Sequence, residues 1–72
     1  MTEHIRTLLH RAPFHPFEIV TTDGHVFRIP TTDHAHVAPG GSRVVVWDDA
    51  GIQHNVSVRH IVRIDELVDA GG

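Results

Sequence analysis

The fold is decided by residues 13–30, PFHPFEIVTTDGHVFRIP, in which two strand-like runs flank Asp23-Gly24. Apolar residues alternate with other residues in both runs, and this period of two is typical of a β-strand with one face in the core. An Asp-Gly pair between such runs favours a type I′ turn, in which both central residues have positive φ. The stretch therefore predicts a β-hairpin with strands over residues 17–22 and 25–29.

The residues before the hairpin predict a short helix over residues 1–12. From Ile5 to Ala12, apolar residues recur at i, i+3, i+4 and i+7, the spacing of one helical face. Pro13 disfavours helical geometry in the residue before it, so we expect the helix to end there.

The second half of the chain repeats the strand pattern. Residues 34–38 contain only a weak strand pattern, and clearer strand-like stretches, separated by turns, cover residues 42–49, 52–60 and 61–64. Both faces of Val44–Trp47 are apolar, which predicts that a helix or a neighbouring subunit covers the second face. Strands then occupy residues 17–64, and residues 65–72 are predicted to be a tail.

Length and composition favour a small self-associating domain. A chain of 72 residues buries only roughly 60% of its unfolded surface, and without cysteine no disulfide can compensate. Nine acidic residues against six arginines, with no lysine, give a formal charge of −3, which argues against a general nucleic-acid binder. With neither a signal sequence nor an apolar run of membrane-spanning length, we expect a cytoplasmic protein without a membrane partner.

The order of the elements resembles a known fold. A helix, a strand-Asp-Gly-strand unit, the bend DHAHV, a second hairpin and a final VRHIVRI are similar to the Sm-like fold of Sm proteins and bacterial host-factor proteins. Residues 13–64 also resemble short uncharacterised bacterial proteins with the pattern PFxPFxIxxxDGxxFxI and a terminal HIVxI, a likeness that implies no activity. The predicted fold is mainly β: one domain over residues 1–72, with an N-terminal helix and a five-stranded antiparallel SH3-like (Sm-like) small barrel.

The Sm-like resemblance implies an RNA site formed at two strand bends in a ring of subunits. DHAHV puts Asp33 and His36 at the first bend, and VRH puts Arg59 and His60 at the second. His36 stands where the family has asparagine, and His60 stands where it has glycine. We therefore expect any binding of RNA to be weak.

A second alternative is transition-metal binding. His34 and His36 are two residues apart, so on a strand both imidazoles would point to one face, as ligands of zinc, copper or nickel can. Further ligands would have to come from distant parts of the chain. Solvated or hydrogen-bonded surface histidines are the favoured interpretation, pH-sensitive histidines at an interface are a further alternative, and no cofactor is predicted.

Catalysis has no support in the sequence. The chain has no cysteine nucleophile, Gly-x-Ser-x-Gly elbow, phosphate loop or HExxH motif. The leading hypothesis is a non-enzymatic, self-associating small β-barrel that acts as an interaction or scaffold module. Subunits would pair through the sheet edge at HIVRI; the sequence identifies no protein partner. The alternatives are the RNA-binding ring and the histidine metal site.

Overall fold

A computed structural model describes residues 1–67, in which one helix precedes six strands. Strand pairing is antiparallel and forms two three-stranded sheets: sheet A has the order β2-β1-β6, and sheet B has the order β3-β4-β5. The elements are α1 (Thr2–His10), β1 (Phe17–Thr21), β2 (Val26–Ile29), β3 (Ala35–Val37), β4 (Arg43–Trp47), β5 (Gln53–Ser57) and β6 (Ile61–Glu66).

The prediction of a five-stranded SH3-like (Sm-like) barrel is wrong. Residues 1–67 form six strands in two separate sheets, and no strand continues from one sheet into the other. Pro30, which has no backbone donor, and a 3-10 turn at Thr32–His34 separate β2 from β3. A second 3-10 turn at Val58–His60 separates β5 from β6. A barrel needs a closed ring of paired strands, whereas within residues 1–67 no strand of sheet A pairs with a strand of sheet B.

The first hairpin forms as predicted, but its turn is of another kind. β1 pairs with β2, the Gly24 amide donates to the Thr21 carbonyl over 2.9 Å, and the Thr21 amide donates to the His25 carbonyl over 3.0 Å. Gly24 has φ of +84°, whereas no non-glycine residue in residues 1–67 has positive φ. Asp23 therefore lacks the geometry of a type I′ turn. The loop has three residues and ends in a left-handed glycine, which leaves His25 outside β2.

The helix packs as predicted but ends two residues early. Its buried side chains are Ile5, Leu8 and Leu9. Arg11 is already extended, with ψ of 138°, and Ala12 is exposed rather than part of the buried face. The Thr2 hydroxyl donates to the Gly41 carbonyl over 2.7 Å, which ties the helix to the β3–β4 turn. No helix in residues 1–67 is long and apolar enough to cross a bilayer.

The core lies where both sheets and α1 meet. Besides the three helical residues, it contains Phe17, Ile19, Ile29 and Ile61 of sheet A and Ala35, Val44, Val46 and Val56 of sheet B. On the other face of β4, Val45 and Trp47 are half-buried. The predicted tail began too early, since Asp65 and Glu66 belong to β6; its residues 68–72 lie outside the described part of the chain.

Candidate functional site

The outer edge of β6 is the first surface with functional potential. β6 is the longest strand, and β1 occupies one of its sides, while no strand within residues 1–67 pairs with the other. The register against β1 shifts so that Val20 faces Arg63 and Thr21 faces Ile61. Val62 between them is 54% exposed. A free edge with an exposed apolar side chain can pair with a strand of another chain.

Opposite charges alternate with apolar residues along this edge strand. Arg63 and Asp65 are two residues apart, and therefore project from the same face of β6. The Arg63 Nε lies 3.0 Å from the Asp65 Oδ2, and both side chains are substantially exposed. Each charge is thus available to a second partner beside β6.

A cleft of about 440 Å³ is the second surface, and it lies where the first hairpin faces β5. Three aromatic rings stand together in its wall. The ring centroids of His25 and Phe27 are 4.1 Å apart, those of Phe27 and His54 are 5.3 Å apart, and those of His25 and His54 are 6.2 Å apart. The rest of the lining is Val56 and the polar residues Thr21, Thr22, Asp23, Asn55, Ser57 and His60. A cluster of mutually tilted rings thus lies next to hydrogen-bonding groups.

Asp48 holds His54 in this wall. Its Oδ2 lies 3.0 Å from the His54 Nε2, while its Oδ1 accepts from the amides of Ala50 at 3.0 Å and Ile52 at 2.9 Å. The bond with His54, followed by the bond from the Ile52 amide, lowers the pKa of Asp48 below its ordinary value. The carboxylate therefore orients the ring and closes the β4–β5 turn.

Asp23 lies inside the turn of the first hairpin, directly before Gly24, and its carboxylate also accepts hydrogen bonds there. Its Oδ1 accepts from the Thr21 hydroxyl and from the His25 amide, the latter over 3.2 Å. The Thr21 bond is the main reason that the pKa of Asp23 is lowered, and the His25 amide adds to it. Asp23 is consequently an ionised group on the cleft at neutral pH.

The residues of the predicted RNA site fall on different parts of the surface. Asp33 lies in the 3-10 turn after β2, and His36 lies on β3, where it lines a cavity of about 230 Å³ against α1. Arg59 and His60 share the 3-10 turn before β6, and His60 lines the cleft between the sheets. The members of each predicted pair are close in sequence. The two pairs do not form one pocket, however, because His36 and His60 line different cavities.

The geometry assumed for the predicted metal pair is wrong. His34 belongs to a 3-10 turn rather than to a strand, and only His36 lies on β3. The His34 Nδ1 is 2.7 Å from the Thr31 hydroxyl, and its Nε2 is 3.8 Å from the Asp49 Oδ1. Within residues 1–67 no three His, Cys, Asp or Glu side chains are grouped to hold a metal ion. Metal binding by His34 and His36 stays a prediction, and residues 1–67 supply no third ligand for it.

The sequence did not single out the ring cluster of His25, Phe27 and His54. Its only local signal is that His25 directly follows the Asp-Gly turn and that His54 lies six residues after Asp48. The cluster depends on the packing of one sheet against the other, which spacing along the chain does not reveal. No protein-family model, curated protein or solved structure matches the chain.

Proposed function

We propose that the protein is a non-enzymatic, self-associating module in which β6 of one copy pairs antiparallel with β6 of a second copy. The observation that carries the proposal is the free outer edge of β6, with Val62 exposed on it. Pairing there joins two three-stranded sheets into one sheet across both copies. The assembled surface then serves as an interaction scaffold.

The charges on β6 of one copy are complementary to those on β6 of a second, antiparallel copy. If Ile64 lies on the two-fold axis, Arg63 of each copy stands opposite Asp65 of the other. One interface then contains two opposite-charge pairs, as expected when the same patch meets itself about a two-fold axis. Directly opposed charges of this kind stabilise strand pairing by roughly 0.2–1 kcal/mol each, and like charges destabilise it.

Charge reversal gives a direct test. The variants Arg63→Asp and Asp65→Arg each place two like-charge pairs in the homodimer, so each should dissociate at a concentration where the wild type is dimeric. An equimolar mixture should form a heterodimer, because all four charges are then opposed by their opposites. Sedimentation equilibrium should report twice the 8.0 kDa chain mass for the wild type and for the mixture.

The mixture separates pairing between chains from the ion pair within one chain. Both single variants lose the internal contact of Arg63 with Asp65, and mixing cannot restore it. Arg43→Asp, which reverses an exposed arginine on β4 of sheet B, is the matched control and should stay dimeric. A wild-type mass of 8.0 kDa at tens of micromolar would contradict self-association, and failure of the mixture to dimerise would contradict this register.

A further inference from the structure

The cleft between the sheets has the composition of a site for a planar cation. Its lining includes the carboxylate of Asp23 but neither arginine nor lysine. Phe27 supplies an aromatic ring beside the tilted rings of His25 and His54. Cations are attracted to the face of a phenylalanine ring within about 6 Å of its centre. The formal charge of the whole chain is −3 with neutral histidines, and this negative charge also attracts a cation.

We infer that this cleft binds the guanidinium group of an arginine side chain presented by a partner protein. A guanidinium is planar and carries five N–H donors, so it can stack on a ring while it donates to oxygen atoms at the rim. The oxygen acceptors available in the lining are the carboxylate of Asp23, the amide of Asn55 and the hydroxyls of Thr22 and Ser57. A lysine ammonium has the charge but not the plane, and citrulline has the plane but not the charge.

The cleft is independent of the proposed subunit contact, because no residue of β6 lines it. Loss of self-association would therefore leave this site intact. Conversely, failure of the cleft to bind arginine would not contradict the pairing of β6.

Acidification should weaken arginine binding. Histidine changes charge between pH 5 and 8 when unperturbed, and each positive imidazole would repel the guanidinium. The carboxylate of Asp48 lies 3.0 Å from the His54 ring nitrogen Nε2. The titratable and charged groups around the ring cluster are Asp23 and His25 of the first hairpin, His54 of β5, His60 of the second 3-10 turn, Asp48 and Asp49 of the β4–β5 turn, and Arg28 of β2.

The test is an NMR titration of ¹⁵N-labelled protein with N-acetyl-arginine amide. Matched probes are the citrulline and lysine analogues. Arginine should shift the amide signals of residues 21–27 and 54–60 at pH 7.5, and it should bind about tenfold more tightly than citrulline, which lacks the charge. Binding should weaken at pH 5.5. Equal affinities for arginine and citrulline, shifts confined to other residues, or tighter binding at pH 5.5 would each overturn the inference.

Two variants separate the role of charge from folding. Asp23→Asn keeps an oxygen that can accept from Thr21 and His25, so the turn should persist while arginine affinity falls about fivefold through loss of the charge. Phe27→Leu should also weaken binding, because it removes a ring face. Glu3→Gln, which removes an exposed carboxylate of α1 outside the cleft, should leave the affinity unchanged. Wild-type affinity in Asp23→Asn, with folding verified from its amide spectrum, would refute the site.

Discussion

The Nε2 of His54 lies 3.0 Å from the Oδ2 of Asp48, so a ring on β5 is fixed by the first residue of the turn that precedes it. The other oxygen of Asp48 accepts two backbone amides of that turn. One carboxylate thus shapes the second hairpin and orients a ring of the cleft. Protonation of Asp48 should therefore disturb both features.

We predict that His54→Phe raises the pKa of Asp48 toward its ordinary 3.8, because the bond with His54 is the largest cause of the lowered value. The pKa should remain below 3.8, since the amides of Ile52 and Ala50 still donate to the carboxylate. Carboxyl ¹³C titration measures it. His36→Phe on β3 is the control and should leave the value unchanged. An Asp48 pKa that does not respond to His54→Phe would contradict this assignment.

The same lowered pKa predicts the response of stability to acid. A carboxylate with a lower pKa in the folded state stabilises the fold above its unfolded pKa, and that contribution is lost as pH falls through the folded value. Asp23 and Asp48 both have lowered pKa values against an ordinary 3.8. The free energy of unfolding should therefore decrease as the pH falls below about 4. Urea denaturation across this range should show a shallower decrease for Asp48→Asn than for the wild type, and equal slopes would count against the prediction.

Gly24→Val should destabilise the domain through backbone strain. Nothing lies within 4 Å of a Cβ atom at this position, so space is not the obstacle. The φ of +84° is the obstacle, because the left-handed region costs an L-residue about 1–2 kcal/mol and β-branching adds to this. Thr22→Val, at an exposed position of the same loop with ordinary φ, should change stability by less than about 0.5 kcal/mol. Equal melting temperatures for the two variants would contradict the turn geometry.

Local patterns in the sequence predicted the elements well, but not their arrangement. The period of two around Asp23-Gly24 identified the first hairpin, and the spacing from Ile5 to Leu9 identified the buried face of α1. Each of these features depends on residues close in the chain. Closure of a barrel depends instead on whether a strand bends and continues into the next sheet or ends before it. At Pro30 and at Val58–His60 the strands stop, and two separate sheets result.

The two candidate surfaces, the edge of β6 and the ring cluster of the cleft, also differ in how far the sequence predicts them. The free edge at HIVRI was evident from its position at the end of the strand series, and the structure places β6 at the edge of sheet A. The ring cluster joins residues from both sheets, and His25 and His54 are 29 positions apart in the sequence. The spacing of His34 and His36 predicts that both rings lie on one face of a strand. The 3-10 turn that contains His34 removes that relationship.

Leu8→Ala should show that α1 is part of the core shared by both sheets. Leu8 is 1% exposed, and truncation of such a buried leucine costs about 2–5 kcal/mol. A domain of this length is expected to have about 4–10 kcal/mol of total stability, so a large part would be lost. His4→Ala, on the exposed face of the same helix, is the control. Chemical denaturation of both variants measures the difference, and similar midpoints would mean that the helix contributes little to the core.

Binding of oligo-uridine should be weak at pH 7.5 and physiological salt. Phosphate contacts depend on arginine and lysine, and this chain has no lysine and a formal charge of −3. His36 and His60 line different cavities, so the predicted pocket is not assembled within one described chain. Binding should strengthen toward pH 6, because histidines then gain positive charge beside phosphate. Fluorescence anisotropy with labelled oligo-uridine, for the wild type and Arg59→Ala, measures both effects. Submicromolar affinity at pH 7.5 that disappears in Arg59→Ala would place RNA binding ahead of the scaffold function, because Arg59 would then contact phosphate despite the separation of the two histidines.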